Sequence, residues 1–495
     1  MFIVISENAL KLYETLAADI AGQIAQGVIR EGERIPSVRQ TSQHHNLSVS
    51  TVIRAFLLLE SQGVIESRPQ SGYFVRRRPP GAALPASAPL PPAPAEVARA
   101  PSLDISALVL TTLRSIDQGS VPFGSPYPDP ALFPWARLNH YATSIGRRGG
   151  GRMPLSDLPP GNPELIRQIA RRHLDNGLAV DASEIIVTAG ATEAINLCLQ
   201  AVARPGAAVA VETPTYYALL QAVRRLGMRV LEIATDPQLG IDLAALERAI
   251  ETDDVAACVV MPNFQNPLGF RMPEECQRAL VDLLARHDLP VIENDVYHEL
   301  YYGDSHPASL KHFDTHGLVM HCNSFSKSLT NGWHIGWTLP GRYHAQVEKL
   351  KFLNSPSMPS LPQLAIAEYL RTDGYDYHLR RVRKTLAQQA SIMAAAVLRF
   401  FPDDTCVSAP AGGYLLWIRL PPGVQALELY ARAQERGISL AAGDMFAASG
   451  AWRHHIRLNY SYPWNAAMEA AVRTLGLIAG ELMAPQQRSN LTSSG

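Results

Sequence analysis

The sequence predicts an α/β protein in two parts: a large domain with a mostly parallel sheet covered by helices on both faces, and a small N-terminal winged helix-turn-helix. Three observations predict this fold class. Short apolar β-runs alternate with helical segments through most of the chain. Residues 1–78 instead hold short helices followed by two short β-runs. A stretch of mainly Pro, Ala and other small residues at 79–101 separates the two parts and predicts a semi-extended linker.

Composition limits the classes of protein that the chain can belong to. Over 495 residues the formal net charge is −1, so no global charge attracts nucleic acid or membrane. Residues 1–78 contain 9 Lys and Arg against 7 Asp and Glu, an excess of +2 that favours DNA binding only weakly. The five cysteines are scattered and form no CxxC pair, which argues against a disulfide framework or zinc site and favours the cytoplasm. We find no signal peptide and no apolar run of membrane-spanning length.

The N-terminal part is predicted to form three helices and a wing. Residues 9–28 have apolar residues at helical spacing, Ser37 is a plausible cap for a second helix, and Ser48 is a plausible cap for a third. Residues 64–77 form two short β-runs around a Pro/Gly turn. On the third helix we expect the following residues to point inward: Val52, Phe56 and Leu59.

Such a module suits the major groove of double-stranded DNA, which the first turn of the third helix would contact. The alternative is a small helical dimerisation module whose basic residues are only solvated. Residues 12–75 resemble the GntR-type winged helix almost continuously, and the resemblance favours DNA binding. Only Val49 departs from it, at a position that is often basic in that family. The residues expected to contact DNA are Arg39, Ser48, Ser50, Thr51, Arg54 and Gly72.

The large domain contains one conspicuous lysine among only six in the chain. Lys327 lies among hydroxyl residues in the segment CNSFSKSLTNGWHIGW, directly after a predicted buried strand. A lysine held there can form a Schiff base with an aldehyde cofactor. Taken alone, the pattern is weak, because a single loop lysine is usually solvated.

The segments around Lys327 resemble the fold-type I aminotransferases, and most closely the MocR group, in which a GntR-type winged helix is fused to such a domain. The resemblance covers residues 104–480. It implies a small C-terminal α+β subdomain at roughly 355–483, within a domain of residues 102–483, and we expect the polar residues 484–495 to be a disordered tail. It also implies that pyridoxal 5′-phosphate binds as a Schiff base on Lys327. The other implied cofactor contacts are Gly190, Ala191, Thr192, Tyr216, Asn266, Asn294, Tyr297, Ser324, Ser326 and His334.

Each implied role has a plain alternative. Gly190 begins a helix whose free N–H groups suit a phosphate, but it could be an ordinary turn. Tyr216 would stack on the pyridine ring, or it could be a core aromatic. Asn266 and Tyr297 would bond the cofactor's 3′ oxygen, although Asn266 could instead only make a turn. Arg457 corresponds to the arginine that binds an amino acid α-carboxylate, or could form a surface salt bridge.

Two residues depart from the aminotransferase pattern. Asn294 stands where a carboxylate normally keeps the pyridine nitrogen protonated, and a neutral amide cannot do this by charge. Alternation along a strand turns Asp295 to the other face, although an irregular strand end would let Glu293 or Asp295 take the role. His334 replaces the usual phosphate-binding arginine, which should weaken cofactor binding by about 1–3 kcal/mol.

The sequence therefore leaves three functional hypotheses. The first is a transcriptional regulator whose large domain senses pyridoxal phosphate or an amino compound, with transaminase activity weak or absent. The second is a working aminotransferase with a DNA-binding appendage, and the third is a regulator that no longer binds pyridoxal phosphate. The resemblance also implies a homodimer, which would bind paired DNA half-sites.

Overall fold

The computed structural model describes residues 12–25, 29, 32–45, 47–61, 64–68, 72–75, 105–149, 156–303, 305–372 and 374–491. The predicted linker at 79–101 lies outside these residues. The chain divides into two compact units, residues 1–83 and 84–495. Among the helices so described, none is long and apolar enough to cross a membrane.

The N-terminal unit has the predicted elements in the predicted order. Its three helices are α1 (Leu12–Ala25), α2 (Val38–His45) and α3 (Val49–Ser61), and its wing is an antiparallel pair of strands, β1 (Ile65–Arg68) and β2 (Gly72–Val75). The inward-facing residues predicted on α3 are completely buried. They pack against α1 and the wing because apolar residues recur on one face of α3, which confirms the predicted helix.

Both predicted caps of the N-terminal unit are present. The Ser48 Oγ accepts a hydrogen bond from the Thr51 backbone N–H at 3.1 Å, at the start of α3. At the start of α2, the Ser37 Oγ accepts from the Gln40 N–H at 3.4 Å, and the Gln40 side chain accepts from the Ser37 N–H at 2.9 Å. This reciprocal pairing satisfies two donors that a helix start leaves free.

The second unit contains sixteen strands and twelve helices among the residues that the structure describes. The strands are β3 (Val121–Pro122), β4 (Ser156–Asp157), β5 (Ile186–Thr188), β6 (Ala208–Thr213), β7 (Arg229–Asp236), β8 (Gly240–Ile241), β9 (Val255–Val260), β10 (Val291–Asn294), β11 (Val319–Ser324), β12 (Gly336–Leu339), β13 (Met358–Pro359), β14 (Cys406–Val407), β15 (Leu415–Arg419), β16 (Ile438–Ser439), β17 (Ala441–Ala442) and β18 (His455–Asn459). The helices are α4 (Ile105–Asp117), α5 (Trp135–Gly149), α6 (Pro163–Asp175), α7 (Gly190–Val202), α8 (Tyr217–Arg225), α9 (Leu243–Thr252), α10 (Glu274–Arg286), α11 (His344–Asn354), α12 (Ser360–Arg371), α13 (Gly374–Phe400), α14 (Ala426–Glu435) and α15 (Ala466–Leu491).

The large sheet has eight strands in the order β5-β12-β11-β10-β9-β6-β7-β8. Five neighbouring strands are parallel: β7, β6, β9, β10 and β11. Strand β12 runs antiparallel to β5 and β11, and β8 runs antiparallel to β7. Successive side chains enter different cores: Val291 packs in the core on one face, and Ile292 in the core on the other. Both faces are therefore covered, as the unbroken apolar runs predict.

A second, four-stranded antiparallel sheet, β14-β15-β18-β17, forms the core of the small subdomain with α13, α14 and α15. The predicted extent of the small subdomain, roughly residues 355–483, needs two corrections. Helix α12 packs on α5 and α6 of the large domain, whereas α4 and β3, from far earlier in the chain, pack on β16. Subdomain membership depends on these long-range contacts, which no local pattern reveals.

The predicted disordered tail at 484–495 is also corrected. Helix α15 continues to Leu491, so residues 484–491 are helical, while 492–495 lie outside the described residues. Polar composition alone does not end a helix that already has many turns, because extending a helix is much easier than starting one.

Candidate cofactor and carboxylate site

The predicted site residues of the large domain follow the carboxyl ends of neighbouring strands. Gly190 comes after β5, Tyr216 after β6, Asn266 after β9 and Lys327 after β11, and Asn294 is the last residue of β10. Strands β6, β9, β10 and β11 are parallel to one another. Strand β5 runs in the same direction as β11, because both are antiparallel to β12, which lies between them. Residues scattered over more than a hundred positions therefore meet at one edge of the sheet, where α/β proteins commonly bind ligands.

The Lys327 amine is held inside this edge. Its Nζ donates a hydrogen bond to the Pro126 carbonyl at 2.9 Å and lies 4.5 Å from the centre of the Tyr127 ring. Burial, reinforced by the positive charge of Arg457, lowers the pKa of Lys327 to about 7. The amine is not a solvated loop lysine, and near neutral pH a large fraction of it is uncharged and nucleophilic.

Arg457, on β18 of the small subdomain, is completely buried. Its Nη2 donates to the Gly124 carbonyl at 2.8 Å, and its Nη1 donates to the Asn266 Oδ1 at 3.3 Å. Its Nε has no partner, and within the described ranges no carboxylate pairs with the guanidinium. The surface salt bridge considered for this residue is therefore wrong. A buried cation without a counter-charge is costly, which indicates that an anion completes the site.

Sequence reasoning missed the segment Gly124–Tyr127, which connects these groups. The Pro126 carbonyl accepts from both Lys327 and the Tyr414 hydroxyl, the latter at 2.8 Å. The Nδ2 of Asn459 donates to the Ser125 and Tyr127 carbonyls at 3.0 and 2.7 Å. The cluster of Gly, Ser and three prolines in GSPYPDP was the available signal, since it predicts an ordered turn region.

Two tyrosines lie near Arg457. Tyr297 is buried with its ring centre 5.4 Å from that of Tyr414, in an edge-to-face arrangement. Tyr216 is half-buried and packs on Tyr217, with ring centres 4.8 Å apart. Burial raises the pKa of both Tyr216 and Tyr297, so their hydroxyls stay protonated at neutral pH and can donate hydrogen bonds.

The start of α7 has the properties of an anion site. Gly190 has φ +77°, and no side chain in the described ranges caps the helix, so the N–H groups of Ala191 and Thr192 are not covered by a cap. The loop that follows β11 adds hydroxyls: Ser324 and Ser326 are buried, and neither Oγ has a hydrogen-bond partner in the described segments. Free N–H groups, the helix dipole and two hydroxyls together suit a phosphate.

His334 lies beside this corner, although its side chain is exposed. Its carbonyl oxygen is 3.9 Å from where a Cβ on Gly190 would stand, and its backbone is left-handed, with φ +49°. An exposed imidazole supplies less positive charge to the corner than an arginine would. The His334 backbone thus lies beside the start of α7, and within the described part of the chain no contact fixes its ring.

Strand β10 is regular up to Asn294, its last residue. Asn294 is 4% exposed, and its Oδ1 has no hydrogen-bond partner among the residues that the structure describes. The Asp295 carboxylate accepts a hydrogen bond from the Asn263 Nδ2 at 3.1 Å and lies 2.6 Å from the His298 Nδ1, and Glu293 pairs with His321 at 2.9 Å. These contacts argue against either carboxylate taking the role that Asn294 lacks, and that assignment stays a prediction. Burial and the neighbouring Glu293 raise the pKa of Asp295.

The expected DNA-contacting residues lie on the N-terminal unit. Ser48, which caps α3, and Ser50 and Arg54 on α3 are exposed, as is Arg39 on α2, and Thr51 is partly exposed. Gly72 begins β2 with φ +98°, and a Cβ there would approach the Arg34 side chain to 3.3 Å. Gly72 thus shapes the wing, and its contact with DNA stays a prediction.

Comparison with known families agrees with both parts of this structure. Residues 12–75 match the family described as bacterial regulatory proteins, gntR family, and residues 155–475 match aminotransferase class I and II. The Escherichia coli K12 protein described as the uncharacterized HTH-type transcriptional regulator YdcR is 41% identical over 95% of this chain and 100% of its own length. A second E. coli regulator, YjiR, is 37% identical over 94% of this chain and 98% of its own. This chain is a MocR-type regulator.

Solved structures support the fold of this MocR-type regulator. LysN, the α-aminoadipate aminotransferase of Thermus thermophilus, is 27% identical, with a TM-score of 0.70 over 77% of this chain and 98% of its own. It was crystallised with N-(5′-phosphopyridoxyl)-L-leucine. The family implies two general properties of the MocR-type chain: its winged helix binds DNA, and its aminotransferase fold is one whose members bind pyridoxal phosphate.

Proposed function

We propose that this regulator binds pyridoxal phosphate at Lys327 and changes its affinity for DNA in response to that cofactor or to an amino compound that reaches it. The observation that carries the proposal is the buried, unpaired Arg457 beside an amine of low pKa. A buried guanidinium that pairs with no carboxylate of the described residues, and that has a second basic group beside it, favours an anionic ligand.

The residues present fit pyridoxal phosphate. The uncapped start of α7 with Ser324 and Ser326 would hold the phosphate, Tyr216 would lie against the ring, and Asn266 and Tyr297 would donate to the 3′ oxygen. When bound, the cofactor supplies an aldehyde that joins the lysine amine. Arg457 remains free to bind the carboxylate of an amino acid through two parallel N–H donors.

The same residues favour sensing over turnover. Asn294 places an amide, not a carboxylate, at the end of β10, and Glu293 and Asp295 are engaged elsewhere. Without a negative charge there, the ring nitrogen is not kept protonated and the ring withdraws electrons less strongly. A sensor needs only a ligand that binds two states with different affinity, so weak chemistry is compatible with regulation.

The proposal includes a homodimer acting on paired half-sites. Phe352 and Leu353 on α11 are 54% and 66% exposed, and adjacent exposed apolar side chains are typical of surfaces that a partner covers. The mass in solution, measured by light scattering at several concentrations, tests this point, and a monomer throughout would contradict it.

Cofactor capture should depend on pH in a way that reports the burial of Lys327. We expect the rate at which added pyridoxal phosphate joins the protein to rise with pH and level off just above the lowered pKa of about 7. An ordinary lysine would keep gaining reactivity up to about pH 10.4. Stopped-flow absorbance between pH 6 and pH 10 measures this, and a rate that still climbs beyond pH 9 would contradict the buried site.

The same pKa shift predicts the sign of a stability change. The unfolded chain binds more protons at Lys327 than the folded chain between its lowered pKa and the ordinary lysine value, so this residue makes the cofactor-free protein more stable as pH rises through that window. Below the lowered pKa the folded protein carries the full cost of a buried charge.

Arg457→Met tests the carboxylate site. The substitution keeps an unbranched side chain but removes the charge, so we expect an amino acid to perturb the cofactor absorbance only at concentrations about 10- to 100-fold higher, the loss expected for a charged hydrogen-bonded contact. The pKa of Lys327 should rise, since Arg457 lowers it.

A parallel titration with an amine that has no carboxylate serves as the control for Arg457→Met. Its apparent affinity should be unchanged by the substitution. DNA binding measured with and without amino acid completes the test, because a wild-type protein whose DNA affinity ignores both cofactor and amino acid would contradict the sensor function.

A further inference from the structure

We propose that Val49 reads the 5-methyl group of a thymine in the major groove. The DNA site of this regulator would then carry a T·A pair opposite the first turn of α3. The inference rests on DNA binding by the winged helix and extends it to the base that one side chain selects.

Val49 occupies the position on α3 from which bases are contacted. It is the first residue of the helix, directly after the capping Ser48. In helix-turn-helix proteins the N-terminal residues of the second helix face base edges. Val49 is 47% exposed, whereas Val52 and Phe56 of the same helix are completely buried. Within the N-terminal unit, therefore, the Val49 side chain does not belong to the core.

The polar residues around Val49 are largely engaged with one another. The Ser48 Oγ lies 2.9 Å from the Ser50 Oγ and 2.7 Å from the Thr51 Oγ1, besides accepting from the Thr51 N–H. Hydroxyls that hold a helix start in this way are less available to discriminate bases. They leave the apolar side chain as the distinctive feature of the first turn.

The chemistry of the groove selects the partner of an apolar side chain. Base edges in the major groove present donors, acceptors and one methyl group, that of thymine. A valine against the edge of a G·C pair would strip water from polar atoms without replacing their hydrogen bonds. Against thymine it buries apolar surface on both sides. Val49 therefore favours T·A at its position, where an arginine would favour guanine.

A competing use of the same side chain is protein contact. Val49, Ile53 and Leu57 are exposed and lie four residues apart, so they form one stripe along α3. If this stripe docks against protein, replacing Val49 would alter assembly or stability and leave base preference unchanged.

The test begins with selection of duplexes from a random pool by the full-length wild-type protein. Each thymine of the selected site is then replaced in turn by deoxyuridine, which removes only the methyl group. We expect one position in each half-site to lose affinity roughly three- to ten-fold, as for one buried methyl. In Val49→Ala the same replacement should have no effect, and in Val49→Arg selection should move to G·C at that position.

Leu57→Ala is the matched control, since Leu57 lies on the same stripe two turns further along α3 and should keep the uracil sensitivity. No sensitive thymine, or a sensitivity that persists in Val49→Ala, would overturn the assignment while DNA binding itself stands. Failure to select any duplex would instead refute DNA binding, and the assignment with it.

Discussion

Lys327→Ala is expected to abolish the long-wavelength absorbance that pyridoxal phosphate acquires on joining the protein, at every cofactor concentration. The reason is that the bond requires an amine, and the one at the carboxyl end of β11 has a low pKa and a fixed position against the Pro126 carbonyl. Absorbance spectra of purified protein titrated with pyridoxal phosphate measure the effect, and reduction with borohydride followed by mass spectrometry locates the modified residue.

Lys349→Ala is the matched control, because Lys349 is an exposed lysine on α11. Its spectrum should equal that of the wild type. A band that survives in Lys327→Ala, or label found mainly on exposed lysines, would show that cofactor capture is nonspecific. In that case the sensor proposal would fail, while the winged helix would still bind DNA.

Asn294→Asp is expected to increase transamination by two orders of magnitude or more, the size of effect seen when one preorganised electrostatic group at a reaction centre is gained or lost. The carboxylate would supply the negative charge that keeps the pyridine nitrogen protonated. The site is suited to this change, since Asn294 already lies at the end of β10 with an unpartnered Oδ1. Single-turnover conversion of an amino acid to its keto acid measures the gain.

Asn294→Ala distinguishes the charge from a simple change of shape, and it should show no gain. Asn294→Asp should also melt at a lower temperature without cofactor, because it buries a third carboxylate beside Glu293 and Asp295. If the wild type already turns over at the rate of the Asp variant, the chain is a working aminotransferase and the ranking of the hypotheses is reversed.

The elements that the sequence predicted well are those whose signal is local. The apolar runs that became β6, β9, β10 and β11 are buried on both faces, so they could be recognised without knowing their neighbours. The serines that begin α2 and α3 cap helices by hydrogen bonds within four residues. The antiparallel β12 was missed because its four residues, GWTL, are too few to give a clear strand signal, and they begin in a segment noted only for its lysine.

The site, too, has features that the sequence predicted and features that depend on distant residues. Lys327, Asn266 and Arg457 were identified through motif resemblance, and the structure brings Arg457 against Asn266 across 191 positions of sequence. The resemblance could not show that Arg457 lacks a counter-charge, because ion pairing depends on which distant residues surround it. Nor could it reveal that the Pro126 carbonyl accepts hydrogen bonds from both Lys327 and Tyr414, since a backbone oxygen has no sequence signature.

By itself the sequence determined the two-part organisation, the alternation of β-runs and helices in the large domain, and the identity of the lysine and arginine. These follow from periodicity, capping and motif, all of which act over a few residues. Only the tertiary structure decided the strand order, the membership of the small subdomain, and the partners of Asp295. The lowered pKa of Lys327 was also decided by the tertiary structure, because burial and a neighbouring charge depend on which residues pack around the amine.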